Sequence, residues 1–213
     1  MKYLDIENWK RKKHFEFFKK FEFPHFNICT NLDITNTFRY SQKNKYSLFR
    51  TVLYAVMKCC NETEEFKYRI RNDGIIIHDV VHPGVASIAE EDVYTNFIIT
   101  YKPLLIDFLD EYEKAAEKAK GEIVVGEKQA GKDDLIFISS LPWVSFTSVT
   151  NPMRSGYEDS IPRIIYGKHF KQDKKIMMPF SVQVNHCLMD GAHVSKYYYK
   201  LTEVLSNPEK YFN

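Results

Sequence analysis

The residues best placed to do chemistry lie close together near the C-terminus, in the stretch VQVNHCLMDGAHV over 182–194. His186 stands where a predicted strand ends, and Asp190 follows at an Asp-Gly turn. The ordinary pKa of an imidazole lies near neutrality, so it takes a proton from a hydroxyl at physiological pH. A strand fixes the ring from one side, and the loop beyond leaves the far nitrogen open to a substrate. Asp190 is too near in sequence to be read as the third member of a triad; pairing with a cation, and so pinning the turn, is the alternative. Taken alone, His-x-x-x-Asp-Gly is a short pattern that fits a general base or a structural histidine at a strand end. Metal binding through His186 and Asp190 is the weaker reading, because two ligands without a supporting cluster fall short of a coordination shell.

The element that must position His186 is a strand over 175–186. Phe180, Val182, Val184 and His186 fall on one face of it, and Ser181, Gln183 and Asn185 on the other. Beyond Gly191 the periodicity changes to that of a helix burying Val194, Tyr197, Tyr198, Leu201 and Leu205. Further strands are predicted at 23–33, 84–90, 135–139, 143–149 and 162–169. Asn72-Asp73-Gly74 between two β-rich runs predicts a hairpin, with Asp-Gly supplying positive φ. Helices are predicted at 34–43, 47–61 and 101–119, with a turn or two within 5–20 around Trp9, His14, Phe15 and Phe18. The apolar spacing is plainest in Leu48, Val52, Leu53, Val56, Met57 and Cys60. The polar stretch 121–132 reads as a surface loop. Together these predict an α/β (α+β) fold, a two-layer sandwich of one large mixed sheet with helices packed on it, in a single domain over 1–213.

Composition narrows the function classes. The chain has 213 residues, 44% hydrophobic and 15% aromatic, which is enough for one sizeable core. The net charge of +2, with the signs mixed along the chain, argues against nucleic acid as a partner. The densest basic stretch, Lys10-Arg11-Lys12-Lys13, reads as a solvated helix face. The N-terminus lacks the apolar run of a signal peptide, and no stretch has the length of a membrane span. Cys29, Cys59, Cys60 and Cys187 have no zinc-site spacing and are expected to be reduced thiols in a cytoplasmic protein.

Several separate blocks, in order, resemble the chloramphenicol acetyltransferases. VQVNHCLMDGAHV is similar to that family's signature, close to QVHHAVCDGFHV. ENWKRKKHFEFF, LDIT at 32–35, FKYRIRNDGIIIHDVVHP, ISSLPWVSFTS at 138–148 and IMMPFSVQV each resemble the family's blocks in the same places. The resemblance covers nearly the full chain. It implies a chloramphenicol acetyltransferase-like, CoA-dependent acyltransferase fold and transfer of an acetyl group from acetyl-CoA to a hydroxyl, with no metal. It implies His186 as general base, Ser139 as the hydroxyl that stabilises the oxyanion, and Asp190 with Arg11 as a buried structural ion pair. Trp143, Lys168 and His169 match positions along the coenzyme A channel, with His169 where the family more usually has tyrosine. The family's trimer, with each active site between two subunits, implies that His186 faces residues such as Phe18 of a neighbour.

The acceptor side departs from the family pattern. Phe18 and Tyr94 keep the aromatic character of drug-contacting positions. Asn151 stands where an apolar residue is usual, Ile165 where threonine is common, and Gly126-Glu127 where the family has a Phe-Pro stretch. Asn185 replaces the first histidine of the family's pair, a change similar to the DHRVIDGA of dihydrolipoyl acyltransferase catalytic domains. The chemistry implied is antibiotic inactivation by acetylation of chloramphenicol. The alternatives are the same mechanism on another hydroxyl acceptor, and a non-catalytic acyl-CoA-binding homologue.

Overall fold

The computed structural model describes residues 1–90, 92–124, 131–153 and 155–212. The expected sandwich is present, built on a seven-stranded mixed sheet. Its strands, in chain order, include β2 (His25–Asp33), β5 (His82–Glu90), β6 (Val93–Ile98), β7 (Leu135–Leu141), β8 (Arg163–Gly167) and β10 (Lys175–Asn185). Their spatial order is β2-β10-β8-β7-β5-β6, with β9 (Phe170–Gln172) paired to the far part of β10. The β5–β7 and β7–β8 pairs are parallel and the rest antiparallel. A separate three-stranded sheet has the order β1-β4-β3, from β1 (Lys2–Tyr3), β3 (Tyr68–Arg71) and β4 (Gly74–Ile77).

The helices are α1 (Lys12–Phe18), α2 (Thr35–Lys43), α3 (Leu48–Asn61), α4 (Leu105–Ala119), α5 (Gly191–Ser206) and the short α6 (Pro208–Tyr211). The core gathers on one face of the large sheet. Phe180, Val182 and Val184 of β10 point into it with Val52, Met57 and Cys60 of α3 and Val194, Tyr197 and Leu201 of α5. The alternation along β10 therefore leaves Ser181, Gln183 and Asn185 buried on the opposite face, where Ser181 bonds to Asn27, Gln183 to Asn151 and Asn185 to Tyr157. The small sheet is fastened by Arg69, fully buried, whose guanidinium donates to the carbonyls of Phe66, Tyr68, Asp133 and Leu135. These four acceptors offset the burial of the charge.

Three elements differ from expectation. Residues 143–149 do not form a strand: Pro142 ends β7 because it has no N–H for the ladder, and the chain leaves the sheet there. The strand expected over 162–169 is Arg163–Gly167, and Lys168 and His169 form the turn into β9. The helix expected from 101 begins at Leu105, because Pro103 disfavours helical backbone before it and offers no donor. In the β3–β4 hairpin, Asn72 (φ 48°) and Asp73 (φ 60°) carry the positive φ, not Gly74. Within 10–13 only Arg11 is buried, so the solvated reading holds for its neighbours and fails for it. Strands β1, β6 and β9 are additional to the expected ones, because their sequences carry no strong strand pattern. Of the expected loop 121–132, residues 125–130 lie outside the described residues, and Gly126 and Glu127 with them.

Candidate active site

His186 follows the last residue of β10. Its backbone N–H donates to Pro24 O at 2.6 Å, which fixes the strand end against the chain entering β2. The ring Nδ1 lies 2.9 Å from Met189 O. A carbonyl only accepts, so Nδ1 carries a proton, and in the neutral ring Nε2 presents the lone pair. The ring stacks on Phe18, with centroids 3.9 Å apart and planes 11° off parallel, and Phe26 packs tilted beside it at 4.7 Å. Phe18 thus contacts His186 of its own chain, which corrects the expectation that a neighbour supplies it. Phe17 and Phe21 extend this aromatic surface into solvent, and Phe23 is exposed as well.

Asp190 does not touch the His186 ring. One carboxylate oxygen pairs with Arg11 Nη1, whose Nη2 donates to His186 O at 3.1 Å. The other accepts from Ala192 N at 3.0 Å and contacts His193 Nδ1 at 2.7 Å, capping α5. Partial burial pushes the Asp190 carboxyl upward, but His193, Arg11 and the Ala192 N–H outweigh it and hold the group below its ordinary value. The ion pair positions the turn; the ring is held by Met189 and Phe18. Cys187, adjacent to the histidine, is pushed up to about 12, chiefly by burial, so little thiolate exists at neutral pH to act as a nucleophile.

A second cluster lies on the open face of the sheet. A cleft of about 610 Å³ is lined by Ser139 of β7, Tyr94 of β6, Ile165 and Arg163 of β8, and Trp143 and Asn151 of the crossing segment. Asn151 Nδ2 donates to Gln183 Oε1 at 2.9 Å, which ties that segment down. Trp143 is 65% exposed at the cleft. Its neighbours Val144 and Ser145 bond to the backbone of Lys168, at 2.9 and 2.7 Å. The turn bearing Lys168 and His169 therefore sits against the Trp143 segment, and the His169 ring packs on Phe38 of α2. Exposed Trp143, Lys168 and His169 so grouped suit a ligand carrying both phosphates and an aromatic base.

The two clusters are not brought together within one chain. Ser139 is paired with Ile165, and Ile165 with Ser181, so Ser139 lies two strands from β10 at the level of Ser181. His186 is five residues farther along. Strand spacings of about 4.8 Å and rises of about 3.4 Å per residue put the two residues about 20 Å apart. Sequence reasoning missed Arg163 in the cleft wall and Phe26 beside the ring. Their places follow from strand register, for which no local signal exists.

Comparison with known proteins supplies the family. The family profile described as chloramphenicol acetyltransferase matches residues 1–202. The chain belongs to the chloramphenicol acetyltransferase family. It is 29% identical to a chloramphenicol acetyltransferase of Proteus mirabilis, over 91% of this chain and 89% of the relative. It is 25% identical to chloramphenicol acetyltransferase 3 of Escherichia coli, over 97% and 98%. A solved chloramphenicol acetyltransferase superposes with a TM-score of 0.86 at 27% identity, covering 95% of this chain and 98% of that one. A dihydrolipoamide acetyltransferase of Azotobacter vinelandii, at 21% identity and TM-score 0.71 over 95% and 89%, shares the fold. As a chloramphenicol acetyltransferase-family member, the protein is an acyltransferase.

Proposed function

We propose that the protein transfers the acetyl group of acetyl-CoA to a hydroxyl of chloramphenicol, inactivating the antibiotic, with His186 as general base. The observation that carries this reading is the 2.9 Å contact of His186 Nδ1 with Met189 O: a neutral ring so held keeps its proton on Nδ1 and leaves Nε2 to accept one. Nε2 removes the acceptor's hydroxyl proton as its oxygen bonds to the thioester carbonyl carbon. The C–S bond then breaks, and the departing thiolate takes the proton back from the imidazolium. Ser139 Oγ donates to the oxyanion formed in between, a contribution of about 3 kcal/mol for one such donor. Asp190 and Arg11 hold the turn, while Trp143, Lys168 and His169 bind the coenzyme. Phe18, Tyr94, Asn151 and Ile165 contact the acceptor.

A base and an oxyanion donor must each lie about 3 Å from one reacting centre, so the roughly 20 Å between His186 and Ser139 within a chain supports a site shared between copies. The reading is a homotrimer of single-domain chains, in which the His186 face of one copy meets the cleft of the next. Exposed Phe17, Phe21 and Phe23 on one face, and Trp143 and Val144 on the other, are apolar surfaces suited to such burial. No helix among the described residues is long and apolar enough to cross a membrane. The four cysteines are free thiols, and we place the enzyme in the cytoplasm.

The test is thiol release from acetyl-CoA with chloramphenicol as acceptor, with His186→Ala in parallel. Release by the native protein and a loss of about 10³-fold or more in the variant are expected. Coenzyme binding without release directs the same mechanism to another hydroxyl acceptor.

A further inference from the structure

Asn185 stands where the family signature has the first of its two histidines, and its surroundings give it a task. It is the last residue of β10 and only 3% exposed. Its Nδ2 donates to Tyr157 O at 2.6 Å and to Asp159 O at 3.1 Å. Its Oδ1 accepts from Cys187 N at 2.8 Å, and its backbone carbonyl accepts from Leu188 N and Met189 N, each at 3.1 Å. Met189 is the residue whose carbonyl holds His186 Nδ1. The residue therefore shapes the turn around the base through its backbone carbonyl and its Oδ1, and its Nδ2 fastens that turn to the segment 157–159.

That segment is itself anchored. Asp159 takes a bidentate pair from Arg163, at 2.8 and 3.2 Å, with both side chains largely buried. Asp159 O also accepts from His25 Nε2 at 2.6 Å, and His25 is the β2 partner of Asn185 in register. Arg163 lines the cleft and lies over the Phe137 ring at 5.5 Å. A continuous set of bonds thus runs from the cleft wall, through Asp159, to Asn185 and the His186 turn.

The chemistry selects an amide. The position requires two donations to carbonyls and one acceptance from an N–H, all at once. Asparagine supplies two N–H donors and a carbonyl. An aspartate has no donor when ionised and would face two carbonyl oxygens. A neutral imidazole supplies one donor and one acceptor, so a histidine meets the needs only in part.

We infer that Asn185 is a positioning residue for His186, holding the imidazole in its reactive pose by clamping the turn to the Asp159–Arg163 pair. This rests on His186 as the base. Displacement of a reacting group by about 1 Å is enough to cost about 10²-fold in rate. Asn185→Asp should lower kcat on that order while the KM for acetyl-CoA stays within about twofold, since the coenzyme residues lie elsewhere. Asn185→His should lower kcat less and keep the fold if the aspartate variant does not. Arg163→Met should lower kcat, and the Asn185→Asp, Arg163→Met double variant should be no worse than Asn185→Asp alone.

The readout independent of turnover is the ¹⁵N shift of the His186 ring, assigned by its loss in His186→Ala. The native protein should show Nδ1 protonated and Nε2 bare, and Asn185→His should show a mixture of tautomers. Folded Asn185 variants with native tautomer and native kcat would overturn the inference. An active His186→Ala would instead overturn the assignment of the base, so the two failures are distinguishable.

Discussion

On the proposed reading, His186 is oriented without a carboxylate partner on its ring among the described residues. Nδ1–H goes to the Met189 carbonyl and the ring face rests on Phe18, so rotation of the imidazole is blocked by one bond and one stack. The strand-end histidine and the Asp-Gly turn were legible in the sequence, because a strand period and a turn residue are local signals. The partners that set the ring were not, because Phe18, Phe26, Tyr157 and Asp159 arrive from distant segments. Asp190 belongs at this scale too. Its partner Arg11 is nearly buried, while Asp190 itself is about a third exposed, which weakens the pair by solvent screening. Asp190→Ala should cost about 2–3 kcal/mol in denaturant unfolding, at the lower edge of a buried pair, and should reduce kcat together with it. A variant with native stability and native kcat would remove Asp190 from the assigned role.

At the scale of elements, the cleft depends on β8 passing close under the chain that leaves β7. A Cβ on Gly167 would lie 2.8 Å from Val144 O, 2.8 Å from Pro179 Cγ and 3.0 Å from Phe146 Cδ1. Two of those atoms belong to the segment carrying Trp143, so glycine here permits the approach that seats it. Gly167→Ala should destabilise by about 1–3 kcal/mol through overpacking and raise the KM for acetyl-CoA more than that for the acceptor. An unchanged coenzyme KM would show that Trp143 is not held by this contact. The long amphipathic helices were legible from apolar spacing, as in Val52, Val56 and Cys60 of α3, because burial on one face repeats every turn. The path of 142–149 was not, since Trp143-Val144-Ser145-Phe146 has strand-like residues and the tie to Lys168 that holds it off the sheet is nonlocal.

For the whole molecule, stability is linked to proton uptake. Burial is the largest influence on His25, His78 and His82 and sets each below its ordinary 6.5. The unfolded chain therefore binds more protons than the folded one just below pH 6.5, and stability rises with pH through that window. Unfolding midpoints should fall as pH drops from about 6.5 and be nearly flat from about 7 to 8, measured by thermal or denaturant melts. A midpoint that rises on acidification through this range would contradict the burial of these histidines. Fold class was legible at this scale, because mixed strands and helices over one core leave few arrangements. The separation of His186 from Ser139 was not, since it depends on strand order and register.

That separation also sets the most direct test. Ser139→Ala and His186→Ala chains, each of low activity alone, are denatured together, refolded and assayed for thiol release from acetyl-CoA with chloramphenicol. A site built from His186 of one copy and Ser139 of another is restored wherever the two variants meet in the right order. Random mixing should return about one quarter of native activity. A mixture no more active than the average of its two components would contradict a shared site with His186 as its base.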